Sequence, residues 1–210
     1  MSNYCRICFK KIYTYPFREL KEQNLFLCDE CIEKMKVNIK EKKIDDIKYL
    51  FLSDYDSFFQ DILYKYKECS DVELAPCFLF LFTPLIKMKF FNHLFIPAPS
   101  SNIIEKKRGF NHLEMMLKSA NLNCCAALEK TDDVERKTLH GTQRFKKEEI
   151  AVKKSKHDDI KGKKIVLFDD VYTTGTTIKN CINAIKKYSP KTIKVLILLN
   201  NDSEERMQIS

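Results

Sequence analysis

The chain has 210 residues, of which 44% are hydrophobic and 31% charged, with a formal net charge of +8. That is enough for one well-filled core of ordinary domain size plus a small appendage. Its longest apolar stretch, Cys77 to Ile86, falls far short of the roughly 20 residues that span a bilayer. No basic-then-apolar leader opens it, since Cys5 and Cys8 already stand there, so a cytoplasmic protein is expected. The positive charge is concentrated in Ile86–Lys118 and Lys130–Lys164, whereas Asp46–Leu85 is acidic. Such runs suit polyanionic partners, although a solvated lysine-rich surface would read the same way.

In chain order, the first feature is a pair of pairs. Cys5-x2-Cys8 and Cys28-x2-Cys31 are separated by 19 residues. Each pair suits a tight turn in which two thiolates converge, and together they suit tetrahedral coordination of a structural Zn2+ in a zinc ribbon. A redox dithiol or free buried thiols are the alternatives. The other cysteines, Cys69, Cys77, Cys124, Cys125 and Cys181, have no ligand spacing and are expected to be buried or spare thiols. Tyr13, Tyr15, Phe17 and Phe26 lie in the ribbon, either as a miniature core around the metal or as a stacking platform for a single strand.

Lys34–Asp46 is highly charged, is expected to be helical, and marks a boundary between residues 1–45 and 46–210. Beyond it, Lys48–Ser53 reads as a strand, Asp56–Lys67 as a helix from its apolar spacing, and Val72–Phe82 as a second buried helix. His93–Pro97 reads as a strand that runs into Ala98, Pro99, Ser100 and Ser101. Glu114–Ala120 follows as a helix and Asn123–Leu128 as a strand. Strands over Lys163–Phe168 and Lys191–Leu199 flank a helix from Thr177 to Tyr188. Alternation of this kind predicts an α/β domain with a mainly parallel sheet flanked by helices.

The stretch KIVLFDDVYTTGTT, Lys164 to Thr177, carries the chemistry. Ligands of open α/β sheets collect at the carboxyl ends of strands, which is where Asp169 and Asp170 fall. The loop Thr173, Thr174, Gly175, Thr176 and Thr177 then opens a helix, whose free N–H groups and threonine hydroxyls suit phosphate oxygens. Acids beside a phosphate cradle fit a ligand with neighbouring hydroxyls and a phosphate, such as a ribose 5-phosphate. Upstream, Arg108 suits a phosphate fork, with Gly109 allowing close approach.

FDDVYTTGTT resembles the phosphoribosyl pyrophosphate (PRPP) signature of type I phosphoribosyltransferases. The resemblance implies that Asp169 and Asp170 bind the ribose hydroxyls, that Thr173 to Thr177 bind the 5′-phosphate, and that Mg2+ accompanies PRPP. The four-cysteine finger, LYKYK (Leu63–Lys67), IPAPSS (Ile96–Ser101) and KKRGFNH (Lys106–His112) together resemble the ComF family of competence-associated proteins along nearly the whole chain. This implies that Pro99, Ser100 and Arg108 face pyrophosphate. It also implies a mobile loop over Lys130–Lys153 in which Arg136, Lys137 and Arg144 reach the same group. Arg136 stands where relatives carry glutamine, and Thr173 stands where purine-salvage relatives carry an aspartate that accepts a proton. The expected function is a PRPP-type site serving uptake or processing of single-stranded DNA in natural transformation, with other competence proteins as further candidate partners. The alternative is an active Mg2+-dependent phosphoribosyltransferase with an unknown acceptor and no DNA role.

Overall fold

The structure is a computed structural model in which residues 4–12, 26–131 and 149–202 are described. The chain forms α1 (Asp29–Lys34), β1 (Lys40–Ile44), β2 (Ile47–Asp54), α2 (Ser57–Lys67), α3 (Ala75–Leu79), α4 (Thr83–Lys89) and β3 (Leu94–Pro97). It continues with α5 (Asn102–Arg108), α6 (His112–Ser119), β4 (Leu128–Thr131), β5 (Glu149–Val152), α7 (His157–Ile160), β6 (Lys164–Tyr172), α8 (Thr176–Lys186) and β7 (Thr192–Asn200). Five strands form one sheet in the order β1-β2-β7-β6-β3, parallel throughout except for β1. The central strand β7 and its neighbour β6 bury VLILL (Val195–Leu199) and IVLF (Ile165–Phe168) as unbroken apolar runs, as strands covered on both faces must.

The covering helices follow from spacing and caps. In α2, Phe59, Ile62, Leu63 and Tyr66 make one buried stripe, and Asp56 caps the helix by accepting Phe59 N at 2.9 Å. In α6, Asn111 accepts Glu114 N at 2.9 Å, and His112, Leu113, Met116 and Leu117 turn inward. β4 and β5 form a separate antiparallel pair, with β5 packed on α8.

Three sequence expectations are corrected. Lys34–Asp46 is not a helix: Lys40–Ile44 pairs antiparallel with β2 and extends the sheet. Its alternating exposure and lysines suit an edge strand, where charge discourages further pairing. Val72–Phe82 is a 3-10 turn followed by a short helix that ends at Leu79, and α4 then starts afresh. Pro76 and Pro84 each stand in a first helical turn, where a missing N–H costs nothing. Asn123–Leu128 is no strand: Cys124 bridges Phe95 through Phe95 N to Asn123 O and Cys125 N to Phe95 O, both 2.9 Å, and β4 begins only at Leu128.

The cysteine-bearing terminus packs on the α/β body. Phe26 meets Phe80 edge-on at 4.9 Å, and Arg6 donates to Glu73 O at 2.9 Å while its guanidinium lies 5.5 Å from the Phe26 ring. Phe26 is therefore a packing residue and not an exposed platform, while Tyr13, Tyr15 and Phe17 lie outside the described residues.

Candidate functional site: an acid pair, a threonine loop and a four-thiol cluster

β6 carries its two acids past the end of β3 while still paired with β7, and strand alternation sends them to opposite faces. Asp170 is buried on the side of α2 and α6. Its Oδ2 is ion-paired with Lys67 Nζ and lies 3.2 Å from His112 Nε2. Burial alone would raise its pKa, but Lys67, then His112, outweigh that and hold it well below the usual carboxylate range. Asp169 is half-buried, accepts only Asp170 N at 3.1 Å, and forms no ion pair among the described residues. Burial, then the charge of Asp170, pushes its carboxyl up to about 7.

The sign of that shift makes a prediction. A folded value above the unfolded ~3.9 means that the native state retains a proton the unfolded chain releases, so this group's contribution to stability falls as pH rises from about 4 to about 7. Asp169→Asn should therefore be more stable than the parent at pH 8, by about 1–2 kcal/mol, and nearly equal to it at pH 4. Urea denaturation at the two pH values measures this; an unchanged difference between them would show that Asp169 titrates normally.

The loop after the acids is held from behind. Tyr172 packs edge-on against Tyr49 and Phe51, with centroids at 6.1 and 5.4 Å. Gly175 turns the chain with φ +70°, and a Cβ there would sit 2.5 Å from Tyr172 Oη, so both conformation and space demand glycine. No side chain caps α8 at Gly175. Thr173, Thr174, Thr176 and Thr177 are exposed, with Thr174 Oγ1 and Thr176 Oγ1 3.0 Å apart. The first N–H groups of α8 and these hydroxyls thus face the same opening, a cradle for an anion.

The IPAPSS and KKRGFNH stretches meet beside Asp170. Pro99 is buried and Ser100 half-buried, with Ser100 Oγ 3.4 Å from His112 Nδ1. The Arg108 guanidinium is engaged within the protein: Nε donates to Lys67 O at 2.9 Å and NH1 to His112 Nδ1 at 3.0 Å. Gly109 ends α5 with φ +84° and open space where a Cβ would stand, so the left-handed turn is what favours glycine there. Burial, with Lys67 and Arg108 nearby, depresses the His112 pKa despite the opposing pull of Asp170. Lys67 and His112 are site residues that the sequence reading missed, although both end stretches it had singled out. Arg136, Lys137 and Arg144 lie outside the described residues.

At the opposite end of β3 and β6, an 850 Å³ cleft is lined by His93, Cys124, Cys125, Lys156 and Lys164. Cys77 and Cys181 are buried in the core and Cys69 is exposed.

In the terminal ribbon, the Sγ atoms of Cys5, Cys8, Cys28 and Cys31 all lie within 4.8 Å of one another, with Cys8 and Cys28 Sγ 3.5 Å apart. Zn–S bonds of about 2.3 Å in a tetrahedron separate sulfurs by about 3.8 Å, so the four thiols are compatible with zinc. Among the described residues no other cluster has metal-ligand character.

Residues 113–209 match the phosphoribosyl transferase domain family. Over 192 residues the chain is 26% identical to the competence protein ComFC of Streptococcus pneumoniae (strain ATCC BAA-255 / R6), covering 87% of this chain and 83% of the relative. A 48-residue stretch is 46% identical to orotate phosphoribosyltransferase of Coccidioides immitis (strain RS), covering 23% of this chain and 19% of that protein. Among solved structures, a hypoxanthine-guanine phosphoribosyltransferase from Bacillus anthracis overlaps with 61% of this chain and 68% of its own, at 13% identity and a TM-score of 0.36. The parallel sheet, the acid pair and the family match define a phosphoribosyltransferase-type domain. The ComFC similarity extends along most of the chain, and the domain match covers its carboxyl-terminal part.

Proposed function

We propose that the opening at the carboxyl ends of β3 and β6 binds PRPP or a related ribosyl phosphate. We further propose that the protein acts in the cytoplasm on single-stranded DNA, in its uptake or processing during natural transformation. The observation that carries the ligand reading is the start of α8, where Gly175 has no side chain to cap it and Thr174 Oγ1 meets Thr176 N only at 3.5 Å, framed by exposed threonines beside the acids of β6. In this reading the N–H groups of Thr176 and Thr177 and the threonine hydroxyls take the 5′-phosphate, and Asp169 and Asp170 take the ribose hydroxyls. Pro99 and Ser100 border the pyrophosphate.

Asp169, a carboxylate without an ion pair among the described residues, is the group here with the chemistry to hold Mg2+. That ion, when bound, supplies positive charge to the pyrophosphate oxygens. Calorimetry with PRPP and Mg2+ tests the reading: the parent should bind and Asp169→Ala should not. A parent protein that takes up no PRPP sinks it.

The DNA role is supported by the ComFC similarity and by exposed basic residues such as Lys106 and Lys107 on α5. Binding of single-stranded DNA should weaken steeply between ~50 and ~200 mM salt, as counterion release requires. Salt-independent affinity would count against it. The second reading, phosphoribosyl transfer to an unidentified acceptor, is favoured by the Coccidioides relative and the domain match. Thr173 offers an exposed hydroxyl and no proton acceptor, so an acceptor base would have to lose its proton elsewhere. Release of pyrophosphate from PRPP on adding purine or pyrimidine bases would decide between the two.

A further inference from the structure

Three distant stretches of the chain converge on Asp170: Lys67 at the end of α2, the turn from Arg108 to His112 between α5 and α6, and β6. At their centre is the His112 ring, whose side chain is only 8% exposed and whose nitrogens are both engaged. Arg108 NH1 lies 3.0 Å from Nδ1, and a guanidinium can only donate, so Nδ1 must accept. The ring proton then resides on Nε2, which faces Asp170 Oδ2 at 3.2 Å. The backbone is pinned as well, since Tyr66 Oη donates to His112 O at 2.8 Å. Arg108 is held from the other side by donating Nε to Lys67 O, a carbonyl in the last turn of α2. Its side chain is 7% exposed, so reaching a bound phosphate would uncover both the helix end and the imidazole.

We propose that His112 is a positioning residue of the ribosyl-phosphate site: as a neutral imidazole it orients the Asp170 carboxylate toward the ligand's hydroxyls, and Arg108 acts through it and not on the ligand's phosphates. The inference rests on the ribosyl-phosphate reading above. Lys67 and His112 both take Oδ2, so Oδ1 stands outside both contacts, and a carboxylate already oriented needs no rearrangement when hydroxyls arrive.

The test titrates the parent, His112→Gln, His112→Leu and Arg108→Lys with PRPP and separately with ribose 5-phosphate, each with Mg2+, by calorimetry. Glutamine can offer both the donor and the acceptor that the ring supplies, whereas leucine keeps bulk and offers neither. His112→Gln should bind both ligands within about 3-fold of the parent, and His112→Leu about 10–100-fold more weakly, the cost of a buried polar group left unpaired. Arg108→Lys should weaken both ligands by the same factor, because a lysine cannot hold the Lys67 carbonyl and the ring together.

Loss of PRPP binding with ribose 5-phosphate retained in Arg108→Lys would return the arginine to the pyrophosphate and overturn the proposal. So would a leucine variant that binds like the parent, or a glutamine variant as weak as leucine. A parent that binds neither ligand overturns the ribosyl-phosphate reading and this inference with it. If His112→Leu does not fold, the ring nitrogens are read by NMR in the parent at neutral pH. A neutral ring with its proton on Nε2 is expected, and an Nδ1–H or charged ring overturns the proposal.

Discussion

Asp170→Ala is expected to bind no PRPP and to be less stable by about 3 kcal/mol at pH 7, toward the lower end of what breaking a buried charge pair costs. The substitution removes the carboxylate that pairs with Lys67 Nζ and faces His112 Nε2, and the grip of Arg108 on His112 is loosened with it. The figure is at the low end because the Lys67 side chain is 25% exposed and can turn toward water. The pH dependence has a defined sign. The Asp170 carboxyl sits below its ordinary value in the fold, so its contribution is present above pH ~4 and is lost as pH falls toward the depressed value. Urea melts of parent and variant should therefore converge in acid. Asp170→Asn, which still accepts hydrogen bonds, should lose less stability but lack the charge that pairs with Lys67. A variant as stable as the parent at pH 7 would show that the Lys67–Asp170–His112 contacts are offset by their own desolvation.

The four-cysteine cluster is compatible with zinc, and stripping zinc from a loaded chain is expected to unfold the terminal ribbon while the five-stranded sheet stays folded. Structural zinc in small sites contributes an apparent ~10–16 kcal/mol at neutral pH, and the ribbon has little else to hold it. Its buried apolar residues are few, with Ile7, Ile12, Leu27 and Met35 the principal ones, and its cysteines form no disulfides. Strong chelation, or Cys31→Ser, should release the Phe26–Phe80 contact and the Arg6–Glu73 pair, exposing the α3 end of the body. Hydrogen exchange would show fast amides at Cys5–Ile12 and Cys28–Met35 and unchanged protection in β6 and β7. One equivalent of zinc per chain should be lost in parallel. Retained protection in a chain shown to be metal-free would mean that packing on the body, and not the metal, holds the ribbon.

Much of this protein was legible in short windows of its sequence. The strand–acid–threonine run at Lys164–Thr177, the cysteine spacing and the stripe of α2 are local patterns, encoded by period, cap and turn chemistry within a few residues. Where the sequence reading failed, local preference had been overridden from a distance. The lysine-rich run Lys40–Ile44 has helical composition, yet it pairs with β2, because edge hydrogen bonds outweigh a few tenths of a kcal/mol per residue of propensity. Asn123–Leu128 had the reverse fate, with one bridge to Phe95 in place of a full ladder.

The site divides along the same line. That Asp169 and Asp170 follow a buried apolar run could be read directly from the residues, but that β6 continues through them to Tyr172 and that they play unlike parts could not. Asp170 is ion-paired because α2 and the Arg108–His112 turn approach one face of β6, while Asp169 faces away from them and keeps its carboxyl unpaired among the described residues. That the Arg108 guanidinium meets a helix end and an imidazole within the protein was likewise not readable from its place beside two lysines. A charge in sequence carries no record of its eventual neighbour. Coulomb and hydrogen-bond energies depend on distances of 3–4 Å between residues far apart along the chain, and packing alone sets those distances.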